Sequence, residues 1–358
     1  MGKKTKKKAK PLKETSSRKR DHVKLVIARD VAHRAISTGY DSLRFVHNAL
    51  PELSLEEIDT STVFFGNHLD APLLVSSMTG GYSDALAINR DLAIAAQEFG
   101  IAMAVGSARQ AMEDKTEHPS YSVARKENPD GLLFTNVGAA EIASLHREKK
   151  IDKLKVIVDL VQADGLIVHL NPLQELLQPE GNTNFTGVLA GIESVVKELG
   201  IAVIAKEVGA GISREVAARL LAAGVRAIDV AGAGGTSWAG VEILRRKKKD
   251  RPETDVFWDW GIPTADALAE VAELKKKATF GLIASGGIRD GIDVAKSIAL
   301  RADLVGMARP LLKSLSSGKS AKLHEKIEGV IRQLRAVMFL TGSRDLLALA
   351  EQPIEKLI

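Results

Sequence analysis

The segment Gly165-Leu166-Ile167-Val168-His169-Leu170-Asn171-Pro172-Leu173-Gln174-Glu175 passes from an apolar strand directly into hydrogen-bonding and metal-capable side chains. An imidazole, two carboxamides and a carboxylate fall within seven residues. Pro172 bars an ordinary strand from continuing, so these groups occupy a strand-to-loop end, where α/β proteins concentrate function. A solvated loop after a core strand is the plain alternative, and four such groups so close together count against it.

Other short runs carry chemistry of their own. Ser285-Gly286-Gly287-Ile288-Arg289 has the glycine pair that lets backbone N–H groups converge on an anion at the start of a helix. Ala308-Arg309 can add a charge-assisted contact. Lys206 has two functional readings, a cation near a flavin's N1 and C2 carbonyl or a Schiff-base amine, with a structural salt bridge as the third. Gly232 to Gly235 before Thr236 suits either a flexible turn or close approach of a flat ring. Thr79 and Asn136 offer a hydroxyl and an amide suited to a ring edge or to satisfying a loop.

The elements that must position these groups alternate. Short apolar runs are expected as strands at Leu73 to Ser77, Ile101 to Val105, Leu132 to Thr135, Leu166 to Val168, Ala202 to Ala205, Ala227 to Val230, Leu282 to Ala284 and Leu304 to Met307. Amphipathic stretches fall between them, including Ala85 to Phe99, Ser213 to Ala223, Ala265 to Lys276 and Gly291 to Leu300. Eight βα units predict an α/β fold, a (β/α)8 TIM barrel with an N-terminal extension capping it. An open doubly wound sheet would gather its signals at one switch point, whereas here polar residues follow every strand. Possible strands near Leu43 to Val46 and Val63 to Phe65 suit the barrel's bottom. The charge run Arg245 to Lys249, inside the insertion Trp238 to Trp260, reads as a solvated helix face, and the chain is expected to be helical after Pro310.

Composition bounds the function. The 358 residues are 45% apolar, enough for a sizeable core, and no apolar run approaches the roughly 20 residues of a membrane span. With no signal-peptide layout, a cytoplasmic location is expected. The absence of cysteine excludes disulfides, thiolate metal sites and cysteine nucleophiles. The net charge of +5 is misleading: residues 1–20 hold ten Lys or Arg against Glu14, leaving the body at −4. Neither nucleic acid nor membrane is therefore an expected partner.

Together these residues resemble the type 2 isopentenyl-diphosphate isomerases, flavin-dependent TIM barrels. The markers are Arg18-Lys19 with His22, Ala49-Leu50-Pro51, Met78-Thr79-Gly80-Gly81, Gly106-Ser107, His169-Leu170-Asn171 with Gln174-Glu175, Gly232 to Trp238, and Ser285 to Arg289. The resemblance implies interconversion of isopentenyl and dimethylallyl diphosphate, with reduced FMN, Mg²⁺, and NADPH as flavin reductant. It implies FMN contacts from Ser77, Met78, Thr79, Gly80, Ser107, Asn136, Lys206, Thr236, Gly286, Gly287, Ile288, Arg289, Ala308 and Arg309. Substrate would meet Arg18, Lys19, His22, Ser107, Ala108, Arg109, His169, Asn171 and Gln174, and Glu175 would hold Mg²⁺. Gln174, His169 and Lys206 are the implied catalytic residues, while the group that delivers the proton stays open. A homo-oligomer, tetramer or octamer, is expected. Residues 1–17 are expected as a disordered Lys-rich tail before a single FMN-dependent domain at 18–358.

Two other readings compete. Another FMN barrel, such as a 2-hydroxyacid oxidase, can use Arg109 and His169 but leaves Gln174-Glu175 and the Arg18-Lys19-His22 cluster without roles; an inosine-monophosphate dehydrogenase relative lacks its cysteine. A polyanion binder on a retired barrel would depend on residues 1–15.

Overall fold

Side chains alternate across a strand, so each strand of a closed barrel sends every second residue inward. The computed structural model describes residues 12–247 and 250–357. It opens with α1 (Leu12–Ala28), β1 (Leu43–Phe45), β2 (Thr62–Phe64), β3 (Asn67–Leu69), β4 (Leu73–Val75), α2 (Ser83–Glu98), β5 (Ala102–Ala104), α3 (Pro119–Glu127), β6 (Leu133–Gly138) and α4 (Ala139–Arg147). Next come α5 (Lys155–Val161), β7 (Gly165–Leu170), α6 (Pro172–Leu177), α7 (Val188–Leu199), β8 (Ala202–Glu207), α8 (Arg214–Ala222), β9 (Ala227–Asp229) and α9 (Trp238–Arg245). The remainder is α10 (Pro252–Asp255), α11 (Thr264–Ala272), β10 (Gly281–Ser285), α12 (Gly291–Ala299), β11 (Leu304–Met307), α13 (Arg309–Thr341), α14 (Leu346–Ala350) and β12 (Ile354–Lys356).

Strands β4 to β11 pair in parallel and close into one barrel, which rejects the open-sheet alternative. The inward residues separate by height. Leu74, Ala102, Ala104, Phe134, Ile167, Ile204, Ala227, Ile283 and Leu304 make an apolar plug. Two residues further along, the same alternation presents Ser76, Asn136, His169, Lys206, Asp229 and Ser285, all near the C-terminal ends. Register holds His169, Lys206 and Asp229 level on β7, β8 and β9. The polar layer therefore sits on a rigid apolar floor.

The hairpin β2–β3 closes the barrel's other end, as expected for the second N-terminal strand. Its Phe64 and Leu69 join the plug. A Cβ at Gly281 would lie 2.7 Å from the Phe64 ring, so glycine is required where this wedge enters. β1 behaves differently from the sequence expectation: it pairs antiparallel with β12, Leu43 opposite Lys356. The C-terminus is accordingly not helical throughout, because Gly342 at φ 71° ends α13 and the last residues extend to meet β1.

The helix α1 starts at Leu12, so residues 12–17, assigned to the tail by sequence, form its first turns; residues 1–11 lie outside the described residues.

Candidate active site

His169 shows how the polar layer is organised. Asn136 donates through Nδ2 to Ser77 Oγ at 2.9 Å, which turns its Oδ1 toward His169 Nδ1 at 2.7 Å. An amide oxygen only accepts, so His169 carries its proton on Nδ1 and leaves Nε2 as a lone pair. Burial, reinforced by the charges of Lys206, Lys19 and Arg18, pushes the imidazole down to about 4. Gly138, level with His169, would place a Cβ 3.0 Å from Nε2, and its lack of a side chain keeps that edge open.

Above this layer lies α1. Lys19, His22, Val23 and Val26 recur at helical spacing and share one face. Val23 and Val26 pack with Met78, Trp238, Val241 and Leu312, which seats the helix over the barrel mouth. Lys19 Nζ then donates to Gly80 O at 2.7 Å, Ser107 O at 2.8 Å and Tyr121 Oη at 2.9 Å. An ammonium has three donors, and all three are used on protein. Burial, aided by Arg18 and by Arg109, lowers this amine to about 7, with Glu117 opposing. Tyr121 fills the space behind the Met78-Thr79-Gly80-Gly81 loop, where a Cβ on Gly80 would be 2.2 Å from its ring.

Arg309 lines the cavity but commits part of its guanidinium to the protein. Its Nε donates to Val26 O at 3.2 Å and its Nη2 to Arg29 O at 2.9 Å, satisfying carbonyls at the C-terminal end of α1. Arg289 is also diverted: its guanidinium joins Asp293 and Asp41, which hold its pKa up, and its backbone N–H donates to Asp293 Oδ2. Asp290 caps the N-terminus of α12 through Ile292 N and Asp293 N, both at 3.0 Å, so the first-turn amides of that helix are engaged and the amides before it are left for an anion. The N–H groups of Gly287 and Ile288 have no hydrogen-bond partner among the described residues. Gly286 and Gly287, at φ 103° and 77°, turn the chain to form this small anion nest. Ala308, at the N-cap of α13, adds a second helix N-terminus to the cavity wall.

The Gly232 to Gly235 run serves protein contact more than ring contact. A Cβ would strike Thr264 from Gly232, Thr38 from Gly234 and Gly287 from Gly235. Ala108 likewise gives its N–H to Asn136 O at 2.8 Å and keeps it from a ligand. Thr236 bridges to Ala32 and lines the cavity. Arg109 lies 3.2 Å from Glu141 at the rim.

One residue at the centre was not legible in the sequence. Glu242, fully buried on α9, accepts from Gln174 Nε2 at 3.2 Å and Arg245 Nη1 at 2.6 Å and lies 2.8 Å from His22 Nε2. Burial works to raise its pKa, but hydrogen bonding and charge from His22 together with Arg245 overcome it and hold the carboxylate below its usual range. Arg245, which the charge run suggested was solvated, is instead a mostly buried clamp that also reaches Glu180 at 2.9 Å. The available signal was a lone acid within the apolar helix Trp238–Arg245.

Gln174 is fixed at both ends, since its Oε1 also accepts from Asn171 Nδ2 at 3.1 Å. Glu175 accepts from Asn182 N at 2.5 Å and Asn171 Nδ2 at 3.2 Å. No group of three or more His, Asp or Glu is arranged for a metal among the described residues. A Mg²⁺ ion here would have one carboxylate and depend on substrate phosphate oxygens, a normal arrangement for this hard cation. Burial pushes Arg18 down, opposed by Glu180, Glu175 and Glu242, which places a cation beside the same acidic group.

These residues surround a single cavity of about 520 Å³, within the usual range for cofactor sites. An unpaired amide nest at one side, Lys206 on the floor and the Asn136–Ser77 pair along a wall fit FMN. The space left under α1 is lined by Arg18, His22, Arg109, His169, Asn171 and Gln174.

Known proteins resemble this chain in sequence and in fold. The family profile of FMN-dependent dehydrogenases matches residues 13–128 and 174–356. The isopentenyl-diphosphate delta-isomerase of Chlorobaculum parvum is 48% identical over 352 residues, covering 95% of this chain and 97% of that protein. Its namesake from Cronobacter sakazakii is 49% identical over 340 residues, 95% of this chain and 96% of that one. Among solved structures, a flavocytochrome b2 variant superposes with a TM-score of 0.69 at 19% identity, covering 97% of this chain and 88% of that one. A mandelate oxidase variant gives 0.65 at 17% identity, covering 98% and 100%. Those two likenesses establish the barrel fold alone.

Proposed function

The chain belongs to the isopentenyl-diphosphate delta-isomerase family on an FMN-dependent dehydrogenase barrel, and from that premise we propose how its own residues divide the reaction. It is an enzyme that interconverts isopentenyl and dimethylallyl diphosphate. The reaction adds a proton at one carbon and removes one from a neighbour, with no net redox. Isolated alkenes resist protonation, so a placed acid and stabilisation of developing positive charge are both required. Reduced FMN, when bound, supplies an electron-rich ring that meets both needs.

Arg18, His22, Arg109 and Asn171 bind the diphosphate, and His169 Nε2 joins them once the arriving anion favours its protonation. Lys19 contributes indirectly, by fastening α1. Glu175 holds Mg²⁺ against the phosphate oxygens. Gln174, clamped between Asn171 and Glu242, orients the isoprenoid end and excludes water from it. Glu242 Oε1, kept ionised by His22 and Arg245, suits proton acceptance more than donation. Gly287 and Ile288 N–H groups hold the FMN phosphate, and Lys206 faces the ring.

NADPH as flavin reductant, a cytoplasmic location and a single functional domain over 18–358 belong to the same proposal. So does a symmetric tetramer or octamer, for which the exposed Leu50, Val63 and Leu347 supply apolar surface. The observation that carries the reading is the shared cavity, in which the polar barrel layer and the cationic face of α1 meet. Anaerobic incubation with FMN, NADPH, Mg²⁺ and isopentenyl diphosphate in D₂O should yield deuterated dimethylallyl diphosphate only when the flavin is reduced. Product formation with oxidised FMN alone would reject the role of the reduced cofactor.

A further inference from the structure

We propose that Asp229 is a positioning residue for the flavin site, whose buried carboxylate fixes Lys206 and offsets the charge that Lys206 presents to FMN. The proposal rests on the reading that Lys206 faces the flavin.

Asp229 is fully buried, points inward from the end of β9 and stands level with Lys206 on β8. Its Oδ1 accepts from Ser285 Oγ at 2.6 Å. Its Oδ2 has no hydrogen bond among the described residues and lies 3.4 Å from Lys206 Nζ. A buried carboxylate oxygen without a donor is costly and calls for a reason. The opposing ammonium supplies one. Lys206 Nζ also donates to Glu207 O at 2.9 Å and approaches Ser285 Oγ at 3.4 Å, so carbonyl, hydroxyl and carboxylate together fix its direction. Lys206 lines the cavity; Asp229 stays beneath it and acts only through the amine.

An uncompensated lysine would attract the electron density that a flavin gains on reduction. With Asp229 behind it, the amine can still donate a hydrogen bond while its net field at the ring is reduced. That arrangement suits an enzyme whose flavin works by being electron-rich instead of by passing electrons onward.

The test is the midpoint potential of bound FMN in the holoprotein, measured spectroelectrochemically, together with the affinity for oxidised FMN. Asp229→Asn keeps the shape and the acceptor for Ser285. It should raise the affinity for reduced over oxidised FMN at least tenfold, a positive shift of about 30 mV for a two-electron couple. Lys206→Met should shift the potential the other way. An unchanged potential in Asp229→Asn, with a shifted one in Lys206→Met, overturns the role of Asp229 and leaves Lys206 at the flavin. No change in either potential or affinity for Lys206→Met removes Lys206 from the flavin and the proposal with it. If Asp229→Asn does not fold, Asp229→Ser, which also removes the charge, carries the test: a positive shift supports the offset and no shift refutes it.

Discussion

His22 Nε2 stands 2.8 Å from Glu242 Oε1, joining the N-terminal helix to the wall helix α9 inside a cavity that neither element could close alone. His22 also meets Trp238 edge-on at 5.2 Å, four residues before Glu242 on the same face of α9. The pair therefore ties α1 to the residue that holds Gln174.

Replacing Glu242 separates structure from chemistry. Glu242→Ala takes the buried carboxylate from His22 and leaves Arg245 with Glu180 as its one acidic partner, and should cost about 3 kcal/mol of stability by chemical denaturation. Glu242→Gln keeps the shape and should fold, while kcat falls roughly 10²-fold, the lower range for loss of acid–base assistance. Near-normal kcat in the Gln variant would make Glu242 purely structural.

Lys19→Met removes three donors from Gly80, Ser107 and Tyr121. Hydrogen exchange should quicken across residues 12–28, and pyrophosphate affinity should fall about 10- to 100-fold, the equivalent of one or two charge-assisted hydrogen bonds. FMN should still bind. Unaltered exchange with weakened affinity would instead show direct ligation of the anion by Lys19.

The imidazole of His169 makes stability depend on acid. Its pKa in the folded protein is about 4 against an ordinary 6.5, so the unfolded chain binds more protons between those values. The contribution is complete above pH 6.5 and is lost as pH falls toward 4, a difference of about 3 kcal/mol. His169→Gln should flatten that part of the stability–pH curve. The same geometry predicts proton uptake on pyrophosphate binding near pH 6, measurable by calorimetry in buffers of different ionisation enthalpy.

Two variants locate the FMN phosphate. Gly287→Ala forces a side chain onto φ 77° and toward Thr38, 2.4 Å away, straining the amide nest by about 1–3 kcal/mol, and FMN affinity should drop at least about tenfold. Arg309→Met should leave FMN affinity within about threefold and accelerate exchange at the end of α1, because its guanidinium serves Val26 and Arg29. The opposite ranking would return the phosphate to Arg309.

Much of this protein is determined by local sequence. Eight apolar runs separated by amphipathic segments specify a parallel barrel, since short strands buried on both faces need helices to cover them. Strand-end residues such as His169, Asn171, Lys206 and Gly286-Gly287 declare themselves because polar or glycine residues directly after an apolar run have no packing explanation. Tertiary structure decided which of them face the cavity and which serve other protein groups. Arg289 and Arg309 follow β10 and β11 as expected, yet Asp41 and the carbonyls of Val26 and Arg29 engage them from distant parts of the chain, with Asp293 assisting at Arg289. Glu242 and Asp229 were hidden for the complementary reason: an acid within an apolar stretch becomes meaningful only when its counter-charges, Arg245 and His22 or Lys206, are brought to it. Hydrophobic periodicity is encoded over a few neighbouring residues, whereas charge pairing in a low-dielectric interior is settled by partners up to 220 positions away, as between His22 and Glu242.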